Sequence, residues 1–184
     1  MDRRFHDRVE AGRLLGQELK RRLGKAHDLI VLALPRGGVR VLNQDVLRYI
    51  PVPQKAIDDV AAREQQELER REGSYRGSRP PLDVHGKTVI VIDDGLATGS
   101  TMRAAVAALK KMQPRNIIVA VPVAAQQTCD EFRDEGIDIV CLRTPEPFQA
   151  VGLWYEDFSQ TSDEEVHELL NERNSQDTQP AHRR

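Results

Sequence analysis

Two adjacent carboxylates, Asp93 and Asp94, close an otherwise apolar run, KTVIVIDD. Such a pair at the end of a buried strand costs desolvation unless something uses it. Sugar hydroxyls, which donate to carboxylates, are one kind of user, and a divalent metal is another. Three residues further on, Ala97, Thr98, Gly99, Ser100 and Thr101 supply backbone amides, hydroxyls and a glycine that permits a tight turn. A helix is expected to start directly after them. Amides, hydroxyls and a positive helix end together suit a phosphate monoester. Carboxylates for a sugar, then a cradle for phosphate, match a ribose carrying a 5-phosphate. Taken singly, Asp-Asp-Gly reads as a turn and Thr-Gly-Ser-Thr as a helix cap. Their succession after a buried strand favours a ligand. The loop lacks the lysine of a Walker motif, and no GxGxxG occurs anywhere. A receiver-type phosphoacceptor would use the acidic pair but leave the Thr-Gly-Ser-Thr loop unexplained.

A second Gly-rich loop, Pro35, Arg36, Gly37 and Gly38, follows the apolar run DLIVLAL. Its glycines allow close approach of the backbone to an anion, and Arg36 could add a charge-assisted contact. Alone it would read as a turn. Tyr75, Arg76 and Arg79 could form a basic loop closing over an anionic ligand, or a solvated linker. Trp154, Tyr155 and Phe158 cluster in a chain with 4% aromatics, which suits either base stacking or core packing. The five histidines are scattered and receive no role. Cys129 and Cys141 lack metal-type spacing and read as reduced, structural thiols.

These loops need a scaffold. A helix is expected from Asp7 to Leu23, with Val9, Leu15 and Leu19 at helical spacing and Gly24 as its C-cap. Residues 28–34 predict a strand buried on both faces. Val39 to Leu42 is a weak strand candidate, and Pro53 to Glu72 a charged helix. Strands are further expected over KTVIVIDD, NIIVAVPV and IDIVCL. The helices between them cover Thr101 to Met112, with Met102, Val106 and Leu109 on one face, and Gln126 to Glu135. Ser162 to Glu165 forms a capping box for a last helix reaching Asn171. Strands alternating with helices imply an α/β fold: a three-layer, mostly parallel sheet of about four or five strands. Residues 1–173 read as one domain and 174–184 as a disordered tail.

Composition narrows the function classes. A net charge of -2 gives no basic field for nucleic acid, and no apolar run is long enough to span a membrane. The N-terminus reads as an amphipathic helix, not a signal peptide. A cytoplasmic protein is expected.

The run IDDGLATGST resembles the phosphoribosyl pyrophosphate (PRPP) motif of type I phosphoribosyltransferases. FHDRVEAGRLL, ALPRGG, REGSYRGSRPP and VGLWYEDFSQ extend the likeness from Phe5 to Leu170. They are similar to one bacterial group of small, poorly characterised phosphoribosyltransferase-domain proteins. The resemblance implies that Asp93 and Asp94 serve the ribose hydroxyls and the metal. It implies that residues 97–101 hold the 5-phosphate and that Leu34 to Gly38 hold pyrophosphate. It further implies Mg²⁺ as cofactor, PRPP and a nucleobase-like acceptor as ligands, and transfer of ribose 5-phosphate. The chain departs from the group after Gly38. PRGGV runs straight into RVLNQDV where the resembling proteins have a further helix, strand and Gly-rich stretch. Some tens of residues are expected to be missing. Two alternatives follow: a non-catalytic PRPP- or nucleotide-binding protein, and a degenerate scaffold acting through its charged helix near Ala56 to Glu72. A shortened sheet also suggests a homodimer.

Overall fold

The computed structural model describes residues 3–24, 28–33 and 83–159, with positions 161, 162, 164, 165 and 168. The loop at 34–38, the candidate strand at 39–42, the charged helix at 53–72, the loop at 73–81 and the tail lie outside the described residues.

Helix α1 (Arg8–Leu23) starts at Asp7, whose Oδ1 accepts the Glu10 amide at 2.7 Å. That satisfies one of the orphan donors of a helix start. Lys20, Arg21 and Arg22 crowd the last turn, where cations suit the helix dipole. Gly24 ends the helix at φ 58° and donates to the Lys20 carbonyl. The apolar stripe differs from expectation. Ala11 and Leu15 are buried, but Val9 is 75% exposed. Val9 precedes Ala11 by two residues, which turns it to the far side of the helix.

Strands β1 (Leu29–Ala33), β2 (Thr88–Ile92), β3 (Asn116–Val123) and β4 (Asp138–Arg143) form one parallel sheet in the order β1-β2-β3-β4. Ala33 pairs with Ile92, and Ile92 with Ala120. Helix α2 (Ser100–Lys110) connects β2 to β3, and helix α3 (Gln126–Asp134) connects β3 to β4. Alternation along the strands makes two cores. Val89, Val91, Val119 and Val121 face α2 and α3, where Met102, Val106, Leu109 and Phe132 meet them. Ile90, Ile118, Ala120 and Val140 face the other way, onto Leu15 of α1. The molecule therefore has three layers with helices on both faces.

β1 departs from the fully buried strand expected of its sequence. Ile30 and Leu32 pack against the α2/α3 core, but Leu29 and Val31 are 37% and 47% exposed. The reason is geometric: α1 contacts β3 and β4, so it leaves that side of β1 uncovered by any described helix. The capping box is present. The Glu165 amide donates to Ser162 Oγ, and the Ser162 amide to Glu165 Oε2. Among the described residues, no helix is long and apolar enough to cross a membrane.

Candidate ribose-phosphate site

The site grows from the carboxyl edge of β2, where ligands of open α/β sheets bind. Just past that edge the Asp93 amide donates to the Ala120 carbonyl of β3, and Asp93 Oδ1 accepts the Asp94 amide at 2.8 Å. The chain then passes through Gly95. A Cβ there would lie 2.6 Å from Val151 Cγ1 and 2.9 Å from the Val123 carbonyl oxygen. No side chain fits without moving backbone. Leu96 fastens the loop to the end of β3, donating to the Val123 carbonyl and accepting from the Ala125 amide.

Asp94 is gripped from two sides. Its Oδ2 accepts from Arg8 Nη2 at 3.0 Å and Arg8 Nε at 3.3 Å. The same guanidinium lies 3.8 Å from the centre of the Phe158 ring and donates to the Ser159 carbonyl. The start of α1 is thus tied both to the acidic pair and to the C-terminal segment. The Asp94 carbonyl accepts from the Tyr155 hydroxyl at 2.6 Å.

Tyr155 is buried between Phe5 and Phe158, with ring centres 5.5 and 4.9 Å away. This answers the question left open by the aromatic cluster: Tyr155 is a core residue that braces the acidic loop. Burial, reinforced by the Asp94 charge, raises its pKa. A raised folded value means a stability contribution that is complete below the unfolded pKa of about 10 and lost as pH rises above it. Tyr155→Phe is expected to flatten the alkaline fall of Tm above about pH 10. Near neutral pH it should cost about 0.5–1.5 kcal/mol, the net value of the hydrogen bond that the Tyr155 hydroxyl donates to the Asp94 carbonyl. Thermal melts across this pH range check both effects.

The phosphate-type loop lies between Leu96 and α2. Ala97 and Thr98 are exposed, Gly99 is buried, and Ser100 opens the helix. Gly99 has φ 69°, the left-handed conformation that glycine adopts freely. Among the described residues no side chain caps α2, and its first turn holds no acidic residue. Thr98 Oγ1 and Ser100 Oγ are 3.2 Å apart. An uncapped helix start flanked by hydroxyls offers its orphan amides to an anion. Behind the loop, Thr128 Oγ1 donates to the Ala97 carbonyl at 2.5 Å and Arg103 Nη1 to the Thr98 carbonyl at 2.7 Å.

Of the residues singled out in the sequence, Asp93, Asp94 and 97–101 thus form one continuous rim at the sheet edge. Pro35, Arg36, Gly37 and Gly38 lie outside the described residues. β1, however, reaches the same edge, since Ala33 pairs with Ile92 immediately before Asp93. Gly95, Arg8, Arg103 and Thr128 carried no signal as site residues in the sequence, because their partners lie up to 86 positions away. A separate cleft of about 310 Å³, between α1 and the end of β4, is lined by Phe5, Leu14, Gln17, Glu18, Arg21, Leu142 and Arg143. It includes neither the acidic pair nor the loop. Among the described residues, no cluster of three or more metal-type side chains occurs. Among the described residues, Asp93 and Asp94 would need further oxygens from a ligand to hold a hard cation, as Mg²⁺ sites in phosphate chemistry commonly do.

Comparison with known proteins gives the same picture. The sequence profile of the phosphoribosyl transferase domain matches residues 7–156. A Mycobacterium tuberculosis protein named as a phosphoribosyl transferase is 33% identical over 207 aligned residues, covering 91% of this chain and 46% of that protein. The chain thus spans about half the length of that curated relative. The 207 aligned positions also exceed the 184 residues here, so the relative holds residues without a counterpart in this chain. The bifunctional protein PyrR of Brevibacillus brevis is 30% identical over 115 residues, 59% of this chain and 64% of its own. Among solved structures, TT1426 from Thermus thermophilus superposes with a TM-score of 0.67 at 32% identity, covering 92% of this chain and 98% of that one. With its parallel sheet, its acidic strand end and its uncapped helix start, the chain belongs to the phosphoribosyl transferase domain family.

Proposed function

We propose that the protein transfers ribose 5-phosphate from PRPP to a nucleobase-like acceptor. The observation that carries this reading is the succession at the sheet edge: an acidic pair, a glycine too confined to bear a side chain, and an uncapped helix start. In this reading Asp93 and Asp94 would accept from the ribose hydroxyls, and the amides and hydroxyls of Thr98 to Thr101 would hold the 5-phosphate. Pro35, Arg36, Gly37 and Gly38 would face the pyrophosphate. A ring nitrogen of the acceptor would bond to ribose C1 as the C1–oxygen bond to pyrophosphate breaks. Fixing both ends of the ribose phosphate would lower the barrier by orientation.

The two carboxylates are hard oxygen donors and fit Mg²⁺ shared with substrate oxygens. Bound there, the ion would neutralise charge developing on the leaving pyrophosphate. Arg8 holds Asp94 Oδ2 and the Asp94 amide holds Asp93 Oδ1, so both carboxylates are already oriented at the sheet edge. The test is release of pyrophosphate from PRPP with Mg²⁺ across a panel of purine and pyrimidine bases. Release that depends on one base supports transfer.

A second reading has its own observation. The relative's residues without counterpart here, together with the run-on after Gly38, would suit a protein that binds PRPP without turning it over. Saturable PRPP binding, with no pyrophosphate released with any base, would favour it.

A further inference from the structure

The phosphate-type loop has a rigid backing that neither its sequence motif nor its helix start explains. Two consecutive carbonyls, of Ala97 and Thr98, are each held by a side chain from a helix behind the loop. In a planar trans peptide the N–H points opposite to the C=O of the same unit. Holding the Ala97 carbonyl toward Thr128 therefore aims the Thr98 amide away from α3. Holding the Thr98 carbonyl toward Arg103 likewise fixes the direction of the Gly99 amide. Among the described residues, neither amide donates to a backbone carbonyl. Two successive amides turned outward, continuing into a helix start that no described side chain caps, make a concave anion nest.

The two holders are themselves fixed. Thr128 is only 5% exposed, and its methyl would stand 3.1 Å from a Cβ on Gly99. Arg103 lies 4.7 Å from the Phe132 ring centre and is paired with Glu135 at 2.8 Å and Glu131 at 2.6 Å. Phe132 is fully buried and is the ring that a Cβ on Gly99 would strike. The glutamates cancel the arginine charge locally, so its guanidinium serves the loop carbonyl as an oriented donor.

We infer that Thr128 and Arg103 are positioning residues that aim the Thr98 and Gly99 amides at the phosphate of the ligand. Neither touches the ligand. Each acts through a loop carbonyl, and the pair couples α3 and α2 to the affinity of the site. This inference rests on the ribose-phosphate reading above.

The test uses Thr128→Val, which keeps the shape under Gly99 and removes the donor, and Thr128→Ser, which keeps the donor. Ribose 5-phosphate is the probe, and the amide ¹H–¹⁵N signals of Thr98 and Gly99 are the readout. In the wild type both signals should shift saturably. Thr128→Val should weaken binding about tenfold, the lower end of what losing an outer-shell partner costs at metal sites. Thr128→Ser should bind like the wild type, a rescue that a purely structural role for the hydroxyl would not show at equal stability. Arg103→Met, a change on a more exposed side chain, should reproduce the loss if the valine variant folds poorly. Unchanged affinity in Thr128→Val and Arg103→Met, with a wild type that binds, would overturn the positioning role and leave the ribose-phosphate reading standing. No shift of either amide in the wild type would overturn the ribose-phosphate reading itself, and the positioning role with it.

Discussion

Asp93→Asn with Asp94→Asn is expected to abolish binding of PRPP in the presence of Mg²⁺. Asparagine keeps the shape of each side chain and one acceptor oxygen, but it loses the charge that strengthens bonds from hydroxyl donors and that a cation requires. Hydrogen bonds to a charged partner contribute about 1.5–3 kcal/mol each. Losing two such partners should weaken binding by roughly a hundredfold or more, at about tenfold per 1.4 kcal/mol. The fold should survive with a modest loss. Arg8 keeps the Phe158 ring and the Ser159 carbonyl when the Asp94 charge is gone. The side chains of this ion pair are 20% and 21% exposed, so its loss should cost about 1–3 kcal/mol, more than a surface pair and less than a fully buried one. Calorimetric titration of the double variant, with circular dichroism as the check on folding, measures the effect. Wild-type affinity in the folded variant would remove the acidic pair from the site.

The second large effect is on stability. Gly99→Ala places a methyl group at φ 69°, 2.6 Å from Phe132 Cε2 and 3.1 Å from Thr128 Cγ2. The left-handed backbone costs an alanine about 1–2 kcal/mol. Forcing the carbon into a fully buried ring costs about 1–3 kcal/mol more. The expected loss is therefore about 2–5 kcal/mol, a large part of the stability of any single domain. Chemical denaturation measures it. Phe132→Leu in the same chain should recover part of the loss, because it withdraws the atoms the methyl group strikes. Such non-additivity is the mark of direct contact. A Gly99→Ala protein as stable as the wild type would contradict the packing described beneath the loop.

Much of this arrangement was legible in the sequence, for local reasons. The strands at Thr88–Ile92, Asn116–Val123 and Asp138–Arg143 announce themselves as short apolar runs, and turns or polar residues bound each one. Met102, Val106 and Leu109 share a helical face at the spacing of 3.6 residues per turn, and all three are buried. The acidic pair and the loop at 97–101 are contiguous, so their neighbourhood needed no folding to be seen. What escaped was non-local or one-sided. Val9 fits the spacing of a buried stripe but lies on the wrong side of α1. β1 has the composition of a strand covered on both faces, yet burial depends on where α1 crosses the sheet, and α1 crosses β3 and β4. Arg8 meets Asp94 across 86 positions, Thr128 meets Ala97 across 31, and Tyr155 meets Asp94 across 61. Gly95 looks like an ordinary turn glycine until Val151 and Val123 are placed against it.

The wild-type protein titrated calorimetrically with PRPP in the presence of Mg²⁺ tests the central claim most directly. The account predicts saturable binding that depends on Asp93 and Asp94 and requires the metal. No heat of binding, from protein whose cooperative thermal melt shows it to be folded, would contradict it.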